Sequence, residues 1–225
     1  MTSRTKSSAS LKVSANAPPP EPPVVFDTVV VNYFLAAGEI ALLASLCGKP
    51  LQIPRSVFDP DEDDNGREEA MSELRRGLHL HRRRCEDEGA PPELRARSVR
   101  ALPEFEVLPA LVGSGVLQVV DLSDAETRLY AELRDAGAVR RFDLVVGLGP
   151  GEAAVLAICA NRSWRPATDD TDAIRVAEHL LPDVKPLRIR GLLRLASDRG
   201  LVDVARARVI HGTMRELGFW DTGTL

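Results

Sequence analysis

Four acidic residues stand where an apolar segment ends or begins, and they are the residues of this chain best placed to do chemistry. Asp27 closes the run Val24-Val25-Phe26. Glu152 opens the apolar stretch Ala153 to Ala160, after the Gly/Pro entry Gly147-Leu148-Gly149-Pro150-Gly151. Asp169 and Asp170 follow Arg165-Pro166-Ala167-Thr168. Carboxylates crowded together repel, and some must take up protons unless a cation neutralises them. A hard, oxygen-seeking divalent ion, Mg2+ or Mn2+, held by few carboxylates plus water, is the simplest solution. Each acid alone has an ordinary use: Glu152 complements a helix N-terminus, Asp170 caps a helix, Asp27 forms a turn. Together, each bordering an apolar core segment, they point to a site.

The elements that must position them follow from patterning. Val24 to Asp27 reads as a buried strand. Val30 to Leu46 is nearly continuous in apolar residues, with Gly38 inside and Gly48 as a stop, and predicts a buried helix or two short ones. Leu51-Gln52-Ile53, ended by Pro54, is a second strand. Residues 59–69, with seven acids, read as a solvated turn, and Met71 to Arg100 as one or two helices with polar outer faces. Pro103 and Pro109 break the next segment, and Val116 to Leu122 is a β-run. Ser123 and Glu126 have the spacing of a capping box at the start of another helix. The Gly/Pro entry before Glu152 predicts a helix buried against a sheet. Arg165 to Thr168 reads as a strand, Ala173 to Leu180 as a helix and Leu187 to Ile189 as strand-like. Helices around Leu192–Ser197 and Val204–Leu217 close the chain, with Gly200 and Gly218 as stops. Short strands alternating with helices predict an α/β fold with a mainly parallel sheet, whose ligand crevice lies beyond the carboxyl ends of the strands.

Composition sets the bounds. The chain has 225 residues, with 29 Lys and Arg against 33 Asp and Glu, a net charge of −4. That excludes a globally basic nucleic-acid coat but not a local basic groove. Hydrophobic residues make up 44%, enough for a sizeable core. Asp27, Asn32 and Glu39 interrupt the longest apolar stretch, so no membrane span is expected and the chain reads as soluble and cytoplasmic. Residues 1–22 are rich in Ser, Ala, Lys and Pro, lack hydrophobic periodicity and predict a disordered tail. Cys47, Cys85 and Cys159 are far apart, with no CxxC or CxxH spacing, so no zinc site or disulfide framework is expected. Cys47 and Cys159 read as small core hydrophobes.

The segments VVFDTVVVNYFLAAGEIALLASLCGKPLQIPRSVFD and LGPGEAAVLAICANRSWRPATDDTDAIRVAEHLLPDVKPLRIRGLLRLASDRGLV resemble the PIN-domain family, which includes toxin ribonucleases of toxin–antitoxin pairs. The resemblance is carried by Asp27-Thr28, by the GPGE of 149–152 leading into an Ala-rich helix, and by Thr168-Asp169-Asp170. The closing LLRLASDRGLV adds to it. It implies a PIN-like three-layer α/β/α domain over 23–225, with 63–115 as a helical insertion. Asp27, Glu152 and Asp170 match the family's metal-binding acids, with Asp169 or Asp172 in support and Thr168 beside them. Asn32 either hydrogen-bonds a site carboxylate or water, or is an ordinary polar helix-start residue. The implied activity is endoribonucleolytic, with Mg2+ or Mn2+ activating a water for in-line attack on a phosphodiester. The implied partners are RNA, an antitoxin protein and a second copy of the chain.

Two departures matter. The family carries a Glu after strand two in a pattern like P-x-x-V-x-x-E, and Pro54-Arg55-Ser56-Val57-Phe58-Asp59-Pro60 puts Pro60 there. Asp59, Asp61 or Glu62 would have to substitute, Asp59 being nearest. Otherwise the site is weak or inactive and the chain is a PIN-like module that binds RNA or protein. The insertion carries the clusters Arg75-Arg76, Arg82-Arg83-Arg84 and Arg95-Arg97-Arg100, which either hold a phosphate backbone or form a solvated face balanced by Glu86, Asp87, Glu88 and Glu93. The balance favours the solvated face. His79 and His81 diverge on a helix and are not a metal pair. A haloacid-dehalogenase-type phosphotransferase would need a second Asp where Val29 stands. A receiver-type phosphoacceptor would need acids upstream of Asp27, where only Glu21 occurs.

Overall fold

The computed structural model describes residues 22–62, 71–221 and 223–225. The expected tail, apart from Pro22, and residues 63–69 of the expected acidic turn lie outside them. Four short strands form one sheet: β1 (Val24–Phe26), β2 (Leu51–Pro54), β3 (Leu117–Val120) and β4 (Arg165–Ala167). Every pairing is parallel and the order is β3-β2-β1-β4. The chain thus steps outward from β1 through β2 to β3, then crosses back to lay β4 on the other side of β1. A parallel sheet has its topological switch at such a reversal, and the crevice beyond the strand ends there is where ligands bind. Phe26 pairs with Ala167, so Asp27 and Thr168 leave the sheet side by side.

Alternation along the strands separates two helical layers. Phe26, Leu51, Ile53, Leu117 and Ala167 face a core shared with α1 (Thr28–Ala36), α2 (Ile40–Cys47), α3 (Glu73–Glu86), α4 (Pro92–Glu106), α5 (Leu108–Gly113), α9 (Ile189–Asp198) and α10 (Val204–Glu216). Val25 and Val120 face the other way, onto Val155, Ile158 and Cys159 of α7 (Pro150–Arg162). The opposite edge of α7, Ala153 and Leu156, packs with α6 (Asp124–Arg134), the 3-10 turn Ala138–Phe142 and α8 (Thr171–Leu180). The fold is therefore α/β/α in three layers: the alternation of strands and helices predicted the α/β class and the parallel sheet, and the three-layer arrangement is the one the family resemblance implied. Among the described residues no helix is long and apolar enough to cross a membrane.

Local signals fixed several boundaries. Gly38, at φ +72°, divides the long apolar stretch into α1 and α2. The capping box forms: Ser123 accepts from Glu126 N at 3.4 Å and Glu126 from Ser123 N at 2.7 Å. Arg162 clamps the same Glu126 carboxylate at 2.6 and 2.8 Å, joining α6 to the end of α7 and holding the pKa down to about 2. Cys159 is buried against the sheet, as a small hydrophobe would be.

Two expectations are corrected. Pro103 does not break the chain; it lies inside α4, and only Pro109, in the first turn of α5, marks a new helix. A proline at 103 leaves the Val99 carbonyl without its helical partner, and Val99 is 58% exposed, so water can serve instead. Leu187 to Ile189 is no strand. Leu187 makes one isolated bridge to Ala167, and Ile189 already begins α9. Within the segment expected as a helical insertion, the first turn of α3 docks on the turn after β2.

Two of the arginines there pair as a solvated face does, Arg82 with Glu106 and Arg100 with Glu216, whereas Arg75 is buried against Glu62. His81 turns inward to Ser98 while His79 makes no shared contact with it.

Candidate functional site

Asp27 sits at the end of the central strand and is wholly buried. It caps α1, its Oδ1 accepting from Thr28 N at 2.6 Å, while Oδ2 accepts from the Thr168 hydroxyl at 2.9 Å. Thr168 also accepts from Asp170 N at 3.1 Å, and Asp170 caps α8 by accepting from Ala173 N at 2.8 Å. The ordinary capping roles are real, and they aim both carboxylates at the same end of the sheet. One residue past Asp27, the Thr28 hydroxyl donates to Glu73 Oε2, and Gly151 N donates to Glu73 Oε1 at 3.4 Å.

Glu73 is the site residue that sequence reasoning missed. It opens α3, whose first turn is docked on the turn after β2: Glu73 N donates to Ser56 O at 3.0 Å and Leu74 N to Val57 O at 2.9 Å. Ser56 Oγ donates in turn to Pro150 O at 3.1 Å, tying that turn to the start of α7. An acid from α3 is thereby brought to the end of β2. The only signal in the sequence was a Glu in the first turn of a helix following Ser72.

Gly151 marks how tightly these groups converge. A Cβ there would lie 2.3 Å from Glu73 Oε2, 2.9 Å from Asp27 Oδ1 and 3.0 Å from Thr28 Oγ1. Three oxygens from three elements border the space that a side chain would fill. Glu152 follows in the first turn of α7, and its Oε2 is buried without a hydrogen-bond partner. At Gly149 a Cβ would come within 2.1 Å of that oxygen.

The electrostatics carry the signature of forced proximity. Burial first, then repulsion from Glu152 and Glu73, pushes the Asp27 carboxyl well above the usual range, against the bonds from Thr168 and Thr28. Burial, then Glu73 and Asp170, pushes Glu152 up to about 7, with Arg134 pulling the other way. Four acids from α3, α7 and the ends of β1 and β4 therefore feel one another's charge. Among the described residues, no three acid, imidazole or thiol groups already stand at direct ligand spacing. A cation that keeps most of its waters needs only one or two carboxylates, and that is the habit of Mg2+.

The remaining expected residues lie elsewhere. Asp59 is not with the cluster: Arg55 holds it at 2.5 Å and also reaches Asp61 at 2.9 Å and Asp121 at 2.7 Å. Glu62 accepts from Ser72 N and Oγ and pairs with Arg75, fixing the approach to α3. Asp169 is fully buried and engaged by Arg188 Nε at 2.9 Å and Ile189 N at 2.6 Å, so it anchors α9. Asp172, in the first turn of α8, is half-buried and makes no side-chain hydrogen bond among the described residues. Asn32 lies one turn beyond Thr28 on the same face of α1, half-buried and likewise without such a bond. No family model, no curated protein and no solved structure matches the chain.

Proposed function

We propose that this chain is a metal-dependent endoribonuclease of the PIN type, hydrolysing a phosphodiester at the carboxyl end of its sheet. The observation that carries the reading is the gathering of Asp27, Glu73, Glu152 and Asp170 at the switch point between β1 and β4, with the pKa of Asp27 and Glu152 raised. Buried carboxylates that repel one another cost stability, and a hard divalent cation relieves that cost.

Asp27 and Glu73, whose oxygens share the space beside Gly151, would hold Mg2+ or Mn2+, with Glu152 and Asp170 reached through its waters. The bound ion supplies Lewis acidity toward the phosphate and a water acidic enough to ionise near neutral pH. Thr28 and Thr168 orient Glu73 and Asp27 by hydrogen bonds. The Glu152 oxygen, without a hydrogen-bond partner among the described residues, is free to accept a proton from the attacking water. Glu73 also supplies an acid where its apparent loss had motivated the binding-module reading, and so favours the enzyme.

Incubating the purified chain with single-stranded RNA in Mn2+ and in excess chelator tests the activity. Cleavage that starts with Mn2+ and stops with chelator is the expected result. Binding without cleavage would return the chain to the binding module.

Stability offers an independent test of the ion. Glu152 ordinarily loses its proton at 4.5 and here does so at about 7. The folded chain holds that proton more tightly, so the contribution is complete below pH 4.5 and is lost as pH rises through about 7. Half-buried His81, whose pKa is lowered by its partial burial and then by Arg84, acts oppositely and weakens the fold as pH falls. The difference between Mn2+-loaded and stripped protein isolates the carboxylates. That difference in Tm should be small at pH 5 and amount to several degrees at pH 7.5. An equal shift at both values would place the ion elsewhere.

A further inference from the structure

Beside the acids lies a cavity of about 490 Å3 that the proposed hydrolysis does not use. It is bordered by the ends of β2 and β3, the start of α3, and by α6 and α7. Pro150 and Ala154 line it from the helix that carries Glu152. Helix α6 contributes Tyr130 and Arg134, one turn apart and on one face. Helix α3 contributes Arg76, three residues beyond Glu73.

The two guanidinium groups are the unusual feature. Arg76 Nη2 donates to the Met71 carbonyl at 3.0 Å, while its buried Nε has no hydrogen-bond partner. Arg134 Nη1 donates to the Leu148 carbonyl at 3.2 Å. Neither has a carboxylate within ion-pair distance among the described residues, whereas neighbouring Arg55 has three. Arg134 also stands near enough to Glu152 to favour its ionised form, so cavity and acids adjoin. Met71 and Leu122 add apolar wall, and Tyr130 is half-exposed.

An aromatic ring, apolar wall and two guanidinium groups with no ion-pair partner among the described residues form a site for a nucleotide, the base against the ring and the phosphate on the guanidinium groups; the two acids on the same lining, Asp59 and Glu62, are already paired with Arg55 and Arg75. The volume is that of a small-molecule pocket, and a base enters such a pocket only when it is free of a duplex stack. We propose that the cavity is a subsite for one unpaired nucleotide of the substrate strand, next to the phosphodiester at the acids, with Tyr130 stacking on its base and Arg76 and Arg134 taking its phosphate. The proposal rests on the nuclease reading for the identity of the strand, and it adds a preference for single-stranded RNA read at a named place.

Fluorescence anisotropy of a short end-labelled RNA, single-stranded or annealed to its complement, tests it on the full chain. Ca2+ replaces Mn2+ so that binding is read without turnover. The single strand should bind at least about tenfold tighter than the duplex. Tyr130→Ala should weaken single-strand binding about 5- to 150-fold, the range for losing one base stack, while Tyr130→Phe stays within about twofold. Arg76→Ala should weaken binding and lower the salt slope by about one. Tyr130→Phe and Arg76→Ala keep the test valid if Tyr130→Ala fails to fold. Equal affinity for both RNA forms, a Tyr130→Ala that binds like wild type, or an unchanged salt slope overturns the subsite. Tyr130-dependent binding without Mn2+ cleavage would leave the subsite standing and sink the hydrolysis. Cleavage insensitive to Tyr130 would do the reverse.

Discussion

If the proposed hydrolysis holds, Glu73→Gln should lower Mn2+-dependent RNA cleavage at least about a hundredfold and weaken Mn2+ binding, whereas Asp59→Asn should change either by less than about threefold. The contrast follows from where the two acids end up. Glu73 lies between the Thr28 hydroxyl and Gly151 N, beside Asp27, and is among the charges that raise both Asp27 and Glu152. Asp59 is neutralised by Arg55, which keeps Asp61 and Asp121 if Asp59 loses its charge. Glutamine preserves the volume and the acceptor toward Thr28, so the substitution tests charge rather than packing. Initial rates across a Mn2+ titration, with melting curves for both variants, decide the matter. Equal losses in the two variants, or a fully active Glu73→Gln, would remove Glu73 from the site.

That pair also shows what the chain reveals before it folds. Asp27, Glu152 and Asp170 were legible because each is written into a local pattern, an acid at the edge of a strand or at the start of a buried helix. Parallel pairing then does the rest, since it stacks the carboxyl ends of β1 and β4 side by side. Glu73 is a tertiary fact. It reaches the cluster because α3 docks on Ser56 and Val57, and its distance along the chain from β2 carries no trace of that contact. The surroundings of Asp169 are likewise tertiary. Next to Asp170 it looks like a second ligand, but Arg188 and Ile189, at the start of α9, claim both its oxygens. Pro103 stays inside α4, against the local rule, because solvent can satisfy the one carbonyl it orphans. The α/β class and the parallel sheet were legible throughout, because they depend on patterns repeated over many residues rather than on one docking contact.

Gly151→Ala separates stability from function more sharply than any acid substitution. In the first turns of a helix, replacing Gly with Ala ordinarily stabilises by about 0.5–1 kcal/mol, by reducing the freedom of the unfolded chain. Gly151 has no left-handed backbone to protect, so that gain is available here. The new methyl would nevertheless stand 2.3 Å from Glu73 Oε2, 2.9 Å from Asp27 Oδ1 and 3.0 Å from Thr28 Oγ1. Asp27 cannot yield, because it is buried and fixed by Thr28 and Thr168. Glu73 can, being the far end of a flexible side chain, and it must leave the space it shares with Asp27. The expected protein melts within a few degrees of wild type but loses cleavage at least about a hundredfold, with weaker Mn2+ binding to match. Where strain lowers the melting temperature further, Glu73→Ala combined with Gly151→Ala should restore it without restoring cleavage, since the clash and the ligand are the same carboxylate. Wild-type cleavage by Gly151→Ala would mean that the space beside Gly151 is not where the ion sits.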